Sequence, residues 1–131
     1  MANSCPFCEI ISKRPSERIL DENELLVAIN DGFPISKGHT LILPKRHIST
    51  FFDCTPDERQ AILDMLDKMK TKLDNIYKPN AYNIGINDGE AAGQTVPHVH
   101  VHLIPRYEGD VDDPRGGIRW VIPDRAKYWT D

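Results

Sequence analysis

Three of the five histidines stand at alternate positions in His98-Val99-His100-Val101-His102-Leu103-Ile104-Pro105. Side chains on a β-strand repeat with a period of two, so a strand here puts all three imidazoles on one face. Val99, Val101 and Leu103 then point the other way, into a core. Same-face neighbours lie roughly 6 to 7 Å apart along a strand, so adjacent rings can serve different partners. Strict alternation with branched apolar residues argues against a surface strand that merely carries histidines. Imidazole attacks phosphorus directly or moves protons near neutral pH. His100, the central ring, is the candidate nucleophile: attack on an α-phosphate gives a phosphoramidate, which water then hydrolyses. One ring nitrogen attacks, and the other needs an acceptor such as a backbone carbonyl to fix the tautomer. His102 is a candidate donor to the same phosphate. His39, at the start of another strand, is a further donor if the two strands are neighbours; a purely structural hydrogen bond suits it equally.

Asn87, Gly93, Gln94 and Thr95 immediately precede this strand. A glycine-bearing loop with amide and hydroxyl side chains can surround phosphate oxygens, although the same residues also make plain turns. No Gly-rich segment ends in Gly-Lys-Ser/Thr, which excludes a conventional P-loop.

Cys5 and Cys8 have the spacing of a zinc knuckle. His47 and His98 are available to complete a closed, structural Cys2His2 site. Metal-free residues or a redox pair are the alternatives, the latter disfavoured because no strand precedes the cysteines. Cys54 has no partner in the pattern and reads as incidental.

A chain of 131 residues, 40% hydrophobic and 27% charged, fits one globular domain over positions 1–131, with 107–131 as a C-terminal tail. A net charge of -4 and no Arg/Lys cluster exclude a duplex nucleic-acid binder. No apolar run is long enough to span a bilayer. The cysteine usage is not that of a secreted scaffold, so a cytoplasmic location is expected.

The elements that must position these residues are legible in outline. Residues 5–13 predict a short turn or helix, and Arg18 to Leu20 a short strand. Glu24 to Ile29 and positions 39–44 predict two strands paired antiparallel. Thr55, Pro56 and Glu58 open a helix that runs to Tyr77, with a capping box and an apolar stripe of Ile62, Leu66, Met69, Leu73 and Ile76. Tyr82 to Ile86 forms a long hairpin with the histidine strand, and Ile118 to Ile122 is a candidate edge strand. The order predicts an α+β fold: an antiparallel sheet of about five strands with one long helix and a short N-terminal helix.

The His-x-His-x-His strand, Lys37-Gly38-His39-Thr40-Leu41-Ile42-Leu43-Pro44, and the loop from Asn87 to Val96 together resemble the histidine-triad (HIT) family over roughly residues 5–107. The loop is especially similar to that of the fragile-histidine-triad-like dinucleoside polyphosphate hydrolases. That branch lacks the cysteine pair, which resembles a zinc-bearing subgroup with Cys5, Cys8, His47 and His98 as ligands. Asp31 also departs from the branch's asparagine and is more like the phosphoramidase branch. The resemblance implies a homodimer, nucleotidyl transfer through His100, and phosphate contacts from His102 and His39. It places Asp31 at the ribose hydroxyls and Ile29 at the base, with Asn87, Gln94 and Thr95 in the phosphate loop and Gly93 allowing close backbone approach. The expected ligand is a purine nucleotide such as AMP, as substrate or product. Diadenosine polyphosphate hydrolysis leads the activities, followed by adenosine phosphoramidate hydrolysis and nucleotidyl transfer. A nucleotide-binding adaptor is the non-enzymatic alternative, disfavoured by the intact His100. Arg115 and Arg119 in the tail suit either distal phosphates or solvated surface positions.

Overall fold

Alternating apolar segments separated by Asn, Asp, Gly and Pro turns fold into one antiparallel sheet. The structure, a computed structural model, describes residues 5–131. Its strands are β1 (Ile19–Glu22), β2 (Leu26–Asn30), β3 (Thr40–Pro44), β4 (Ala81–Ile86) and β5 (Val101–Arg106), in the spatial order β1-β2-β3-β5-β4. The helices are α1 (Pro6–Lys13), α2 (Pro56–Tyr77) and α3 (Pro123–Ala126). The predicted pairing of the second and third strands is present, with Ile29 opposite Leu41. The long hairpin is present too, with Tyr82 opposite Pro105 and Ile86 opposite Val101.

The sheet is covered on both faces. Leu26, Ala28, Ile42, Val99, Val101 and Leu103 pack with Ile62, Met65, Met69 and Leu73 of α2. Val27, Ile29, Leu41 and Leu43 pack with Cys5 and Phe7 at the start of α1. Every other residue of β2 and β3 therefore serves a different layer, which explains why both strands are apolar nearly throughout.

Helix α2 starts as its sequence predicts. Thr55 accepts from the Glu58 N–H at 3.0 Å, and the Glu58 carboxylate accepts from the Thr55 N–H at 2.8 Å. The apolar stripe differs at its end. Met65 is in the core, whereas Ile76 is 66% exposed. At this last turn Tyr77, not Ile76, closes on the sheet side, against Gly38. Gly38 has φ +88°, which favours glycine, and a Cβ there would lie 3.0 Å from the Tyr77 ring and push it outward.

Two further expectations are corrected. The histidine strand begins at Val101, not His98. Its hairpin partner β4 ends at Ile86, opposite Val101, and the Val99 N–H donates to the Ile48 carbonyl at 2.8 Å. The segment 118–122 is not an edge strand: Gly117–Val121 is a 3-10 helix. Gly116 turns the chain at φ +92°, Arg119 N–H bonds back to its carbonyl, and the Trp120 indole N–H takes the Arg115 carbonyl. These local bonds consume the groups an edge strand would offer to the sheet.

Candidate functional site

Pairing of β3 with β5 sets Leu41 opposite His102 and brings His39 to its side. The alternation survives the late start of β5. Val99, Val101 and Leu103 enter the α2 layer, while the rings of His100 and His102 lie 5.3 Å apart on the other face.

Hydrogen-bond partners fix the proton positions. His100 Nδ1 lies 2.8 Å from the His98 carbonyl oxygen. Only an N–H can face that acceptor, so Nδ1 carries the proton and Nε2 has a bare lone pair. His39 is the reverse case. Its Nδ1 accepts from the Ile35 N–H at 3.2 Å, so its proton sits on Nε2. That nitrogen faces His102 Nδ1 at 3.0 Å and Asp31 Oδ2 at 3.3 Å. Accepting at Nδ1 leaves His102 with its own proton on Nε2. One bare nitrogen and one donor N–H thus stand on adjacent same-face positions.

Burial keeps His39 and His102 neutral. It pushes His102 down to about 4, reinforced by His100 and His39. Burial also lowers His39, against the opposing pull of Asp31. The other Asp31 oxygen accepts from the Phe33 N–H at 2.7 Å, which shapes the turn after β2. Asp31 and His39 also border a cavity of about 590 Å³ between this turn and the end of α2. Ile29 has no exposed surface and lies in the layer beneath α1.

The loop before the histidines divides by role. Gln94 is a brace: its side-chain oxygen accepts from the Gly89 N–H, and its amide donates to the Ser49 and Val96 carbonyls. Gly93 has φ +94° with open space around it, and Thr95 is exposed. Asn87 is half-buried just past the end of β4. Arg115 and Arg119 are engaged within the tail. Arg115 pairs with Asp113 and Asp131, and Arg119 donates to the Ala126 and Arg125 carbonyls.

Cys5, Cys8, His47 and His98 converge, with their donor atoms within 4.8 Å of one another. His98 Nδ1 lies 3.5 Å from Cys5 Sγ and 3.6 Å from Cys8 Sγ, and His47 Nδ1 lies 3.2 Å from Cys8 Sγ. Tetrahedral zinc bonds of about 2.0 Å to nitrogen and about 2.3 Å to sulfur put such donors roughly 3.5 Å apart. His98 Nε2 meets the Pro44 carbonyl at 2.8 Å, so its proton is held away and Nδ1 is free to ligate. The residues fit zinc. Burial, with Cys5 adjacent, pushes the Cys8 thiol up to about 11, a penalty that a bound cation would reverse.

Asp31, His39 and His102 also cluster, but they do not fit a metal. His39 Nδ1 faces an N–H donor, so ligation through Nε2 would demand a ring with no proton at all.

Phe7 is the neighbour that sequence reasoning missed. It packs edge-on to His100, with ring centroids 4.9 Å apart. Its place between Cys5 and Cys8 was visible, but nothing in the chain pattern ties it to a ring 93 positions later.

The sheet, its histidine row and the flanking loop together define a histidine-triad protein. The chain belongs to the HIT family: the HIT domain matches residues 12–109. It is 40% identical over 108 residues to an uncharacterised HIT-like protein of Methanocaldococcus jannaschii, covering 81% of each chain. It is 42% identical over 80 residues to the bis(5'-nucleosyl)-tetraphosphatase (asymmetrical) of Schizosaccharomyces pombe, covering 61% of this chain and 44% of that one. To adenylylsulfatase HINT3 of Arabidopsis thaliana it is 34% identical, covering 84% of this chain and 56% of the relative. Among solved structures, a HIT family protein from Bacillus anthracis matches with a TM-score of 0.77 at 37% identity, covering 84% and 78% of the two chains. A Zn-bound histidine triad family protein from Mycobacterium smegmatis matches with a TM-score of 0.74 at 38% identity, covering 82% and 78%. The family thus includes nucleotide hydrolases. No helix among the described residues is long and apolar enough to cross a membrane.

Proposed function

We propose that this chain is a nucleotide hydrolase that cleaves dinucleoside polyphosphates, of the diadenosine type, at the α-phosphate. The observation that carries the reading is the His100 tautomer, with Nδ1–H tied to the His98 carbonyl and Nε2 bare. The tetraphosphatase relative supports the substrate class.

His100 Nε2 attacks the α-phosphorus. A P–N bond forms as the P–O bond to the leaving nucleotide breaks. His102 Nε2–H, held in that tautomer by His39, hydrogen-bonds to the leaving oxygen, which departs as a phosphate anion and needs no proton. Water then attacks the nucleotidyl-histidine, the P–N bond breaks to restore His100 with Nε2 bare, and a mononucleotide such as AMP departs as the proton from water passes to solvent. Gly93 and Thr95 supply phosphate contacts, with Asn87 beside them and Gln94 holding the loop. Asp31 faces the ribose hydroxyls, and Ile29, which has no exposed surface, supports the base pocket from beneath without touching the base. Cys5, Cys8, His47 and His98 hold a structural zinc, which ties α1 to the sheet. The working unit is a homodimer.

Adenosine phosphoramidate hydrolysis is the second reading, favoured by the aspartate at position 31. Product analysis on a panel separates them: diadenosine tri- and tetraphosphate, adenosine phosphoramidate and adenylyl sulfate, the last added because of the HINT3 relative. Dinucleotide cleavage to a mononucleotide at the highest kcat/KM supports the leading reading. His100→Asn should lose turnover while still binding AMP; full turnover by that variant would overturn the mechanism.

A further inference from the structure

Phe7 occupies a position that links two sites. It is the second residue of α1, between the thiols of the metal set, and it is buried. Its ring meets His98 edge-on at 5.9 Å and His100 at 4.9 Å. One side chain therefore touches both a metal-set imidazole and the bare-nitrogen imidazole.

The anchoring of α1 gives this contact its meaning. The helix has eight residues, too few to be stable alone in water. It docks through Phe7, with Ile10 and Ile11 partly buried beside it. The Cys5 side chain caps its first turn by accepting from the Cys8 N–H at 3.4 Å. The sulfurs that would hold the metal thus also set where Phe7 sits.

His100 has a complementary need. The bond from Nδ1–H to the His98 carbonyl fixes one atom of the ring but leaves rotation about that contact. The Phe7 ring packed against the imidazole, at an interplanar angle of 68°, restricts that rotation together with the His102 ring 5.3 Å away.

We propose that Phe7 is a positioning residue through which the Cys5–Cys8–His47–His98 metal site controls the aim of His100. This rests on the reading of His100 as the nucleophile. Metal bound by the two thiolates fixes the first turn of α1. That turn presses Phe7 on the imidazole, and the imidazole keeps Nε2 in line with phosphorus. Loss of the metal loosens α1, and the ring wanders while substrate contacts elsewhere persist. The effect falls on kcat rather than KM, because alignment matters at the reacting atom.

The test compares wild type, Phe7→Ala and Phe7→Leu, each as purified with zinc and after chelation. Turnover of diadenosine tetraphosphate, zinc content, and NMR of the ¹⁵N-labelled imidazoles are read together. Phe7→Ala should retain its zinc, lower kcat by about tenfold, change KM by less than about twofold, and broaden the His100 ring signals. Phe7→Leu should recover most of the loss. Chelation should lower kcat in wild type by a similar factor and add little in Phe7→Ala, since effects along one path do not add. Equal chelation losses in both proteins, or an unchanged His100 spectrum in Phe7→Ala, would overturn the proposal. If Phe7→Ala does not fold, the His100 signals of wild type before and after chelation decide: broadening on chelation supports the coupling, and an unchanged spectrum overturns it. If wild type cleaves no substrate on the panel, the hydrolase reading fails separately, and the His100 spectra still decide the coupling.

Discussion

At the scale of single residues, the histidines differ less in identity than in where their protons sit. The sequence shows which residues are imidazoles, but not that the Pro44 carbonyl claims His98 Nε2 or that the Ile35 N–H claims His39 Nδ1. Those partners come from segments tens of positions away or from turn geometry that no spacing reveals. The proton positions have a consequence for stability. His102 is depressed from 6.5 to about 4 by burial and by its neighbours His100 and His39, and burial also lowers His39. At neutral pH and above, these rings are neutral both folded and unfolded. As pH falls below about 6.5 the unfolded rings take up protons and the folded ones resist. The unfolded state then binds more protons, so stability is lost as pH drops toward the folded value of His102. By about pH 5 this ring alone contributes a loss on the order of 2 kcal/mol. The expected outcome is a Tm that falls between about pH 7 and about pH 5 in wild type and less steeply in His102→Asn. A flat Tm profile in wild type would contradict the buried neutral ring.

At the scale of elements, what could be read depended on how local the determinants are. The α2 start was legible because Thr55 and Glu58 cap each other within one turn. Its anchor was not: Arg46, from the segment after β3, forks onto the Glu58 carboxylate at 2.9 and 3.1 Å. The strand cores were legible from apolar runs. The start of β5 was not, because it depends on where its partner stops. The 3-10 helix at Gly117–Val121 reads as a strand because Ile118, Val121 and Ile122 are β-branched, whereas two glycines with positive φ decide its shape. The capping pair provides a graded test. Thr55→Ala removes one cap acceptor and should cost about 1 kcal/mol in urea denaturation. Glu58→Ala also strips the Arg46 partner from a buried carboxylate site, and should cost about 2 kcal/mol, moderated because Arg46 is half exposed and regains water. Equal losses for the two would show that the Arg46 fork adds nothing to the cap.

At the scale of the whole molecule, the two sheet edges are treated differently. The β1 edge is guarded. A register shift lies between Ile19 and Asp21, Asp21 pairs with Lys68 and Lys72, and Glu22 pairs with Lys45 and Arg14. Bulges and charges of this kind block strand addition. Among the described residues, the β4 edge carries no ion pair or register shift of this kind. Ile84 is 54% exposed on it, and the 3-10 helix that touches β4 leaves Ile118 and Val121 exposed. A free strand edge beside exposed apolar side chains fits a second copy of the chain, which would continue the sheet and cover them. The homodimer is therefore expected to form through β4. Sedimentation equilibrium of wild type should give twice the 14.9 kDa chain mass. Ile84→Asp places a charge on the pairing edge, away from both the metal set and the histidine row. It should shift the protein to the monomer while zinc content and the far-UV spectrum stay unchanged. A wild type that sediments as a monomer would refute the homodimer, and an Ile84→Asp protein that remains fully dimeric would place the contact on another face.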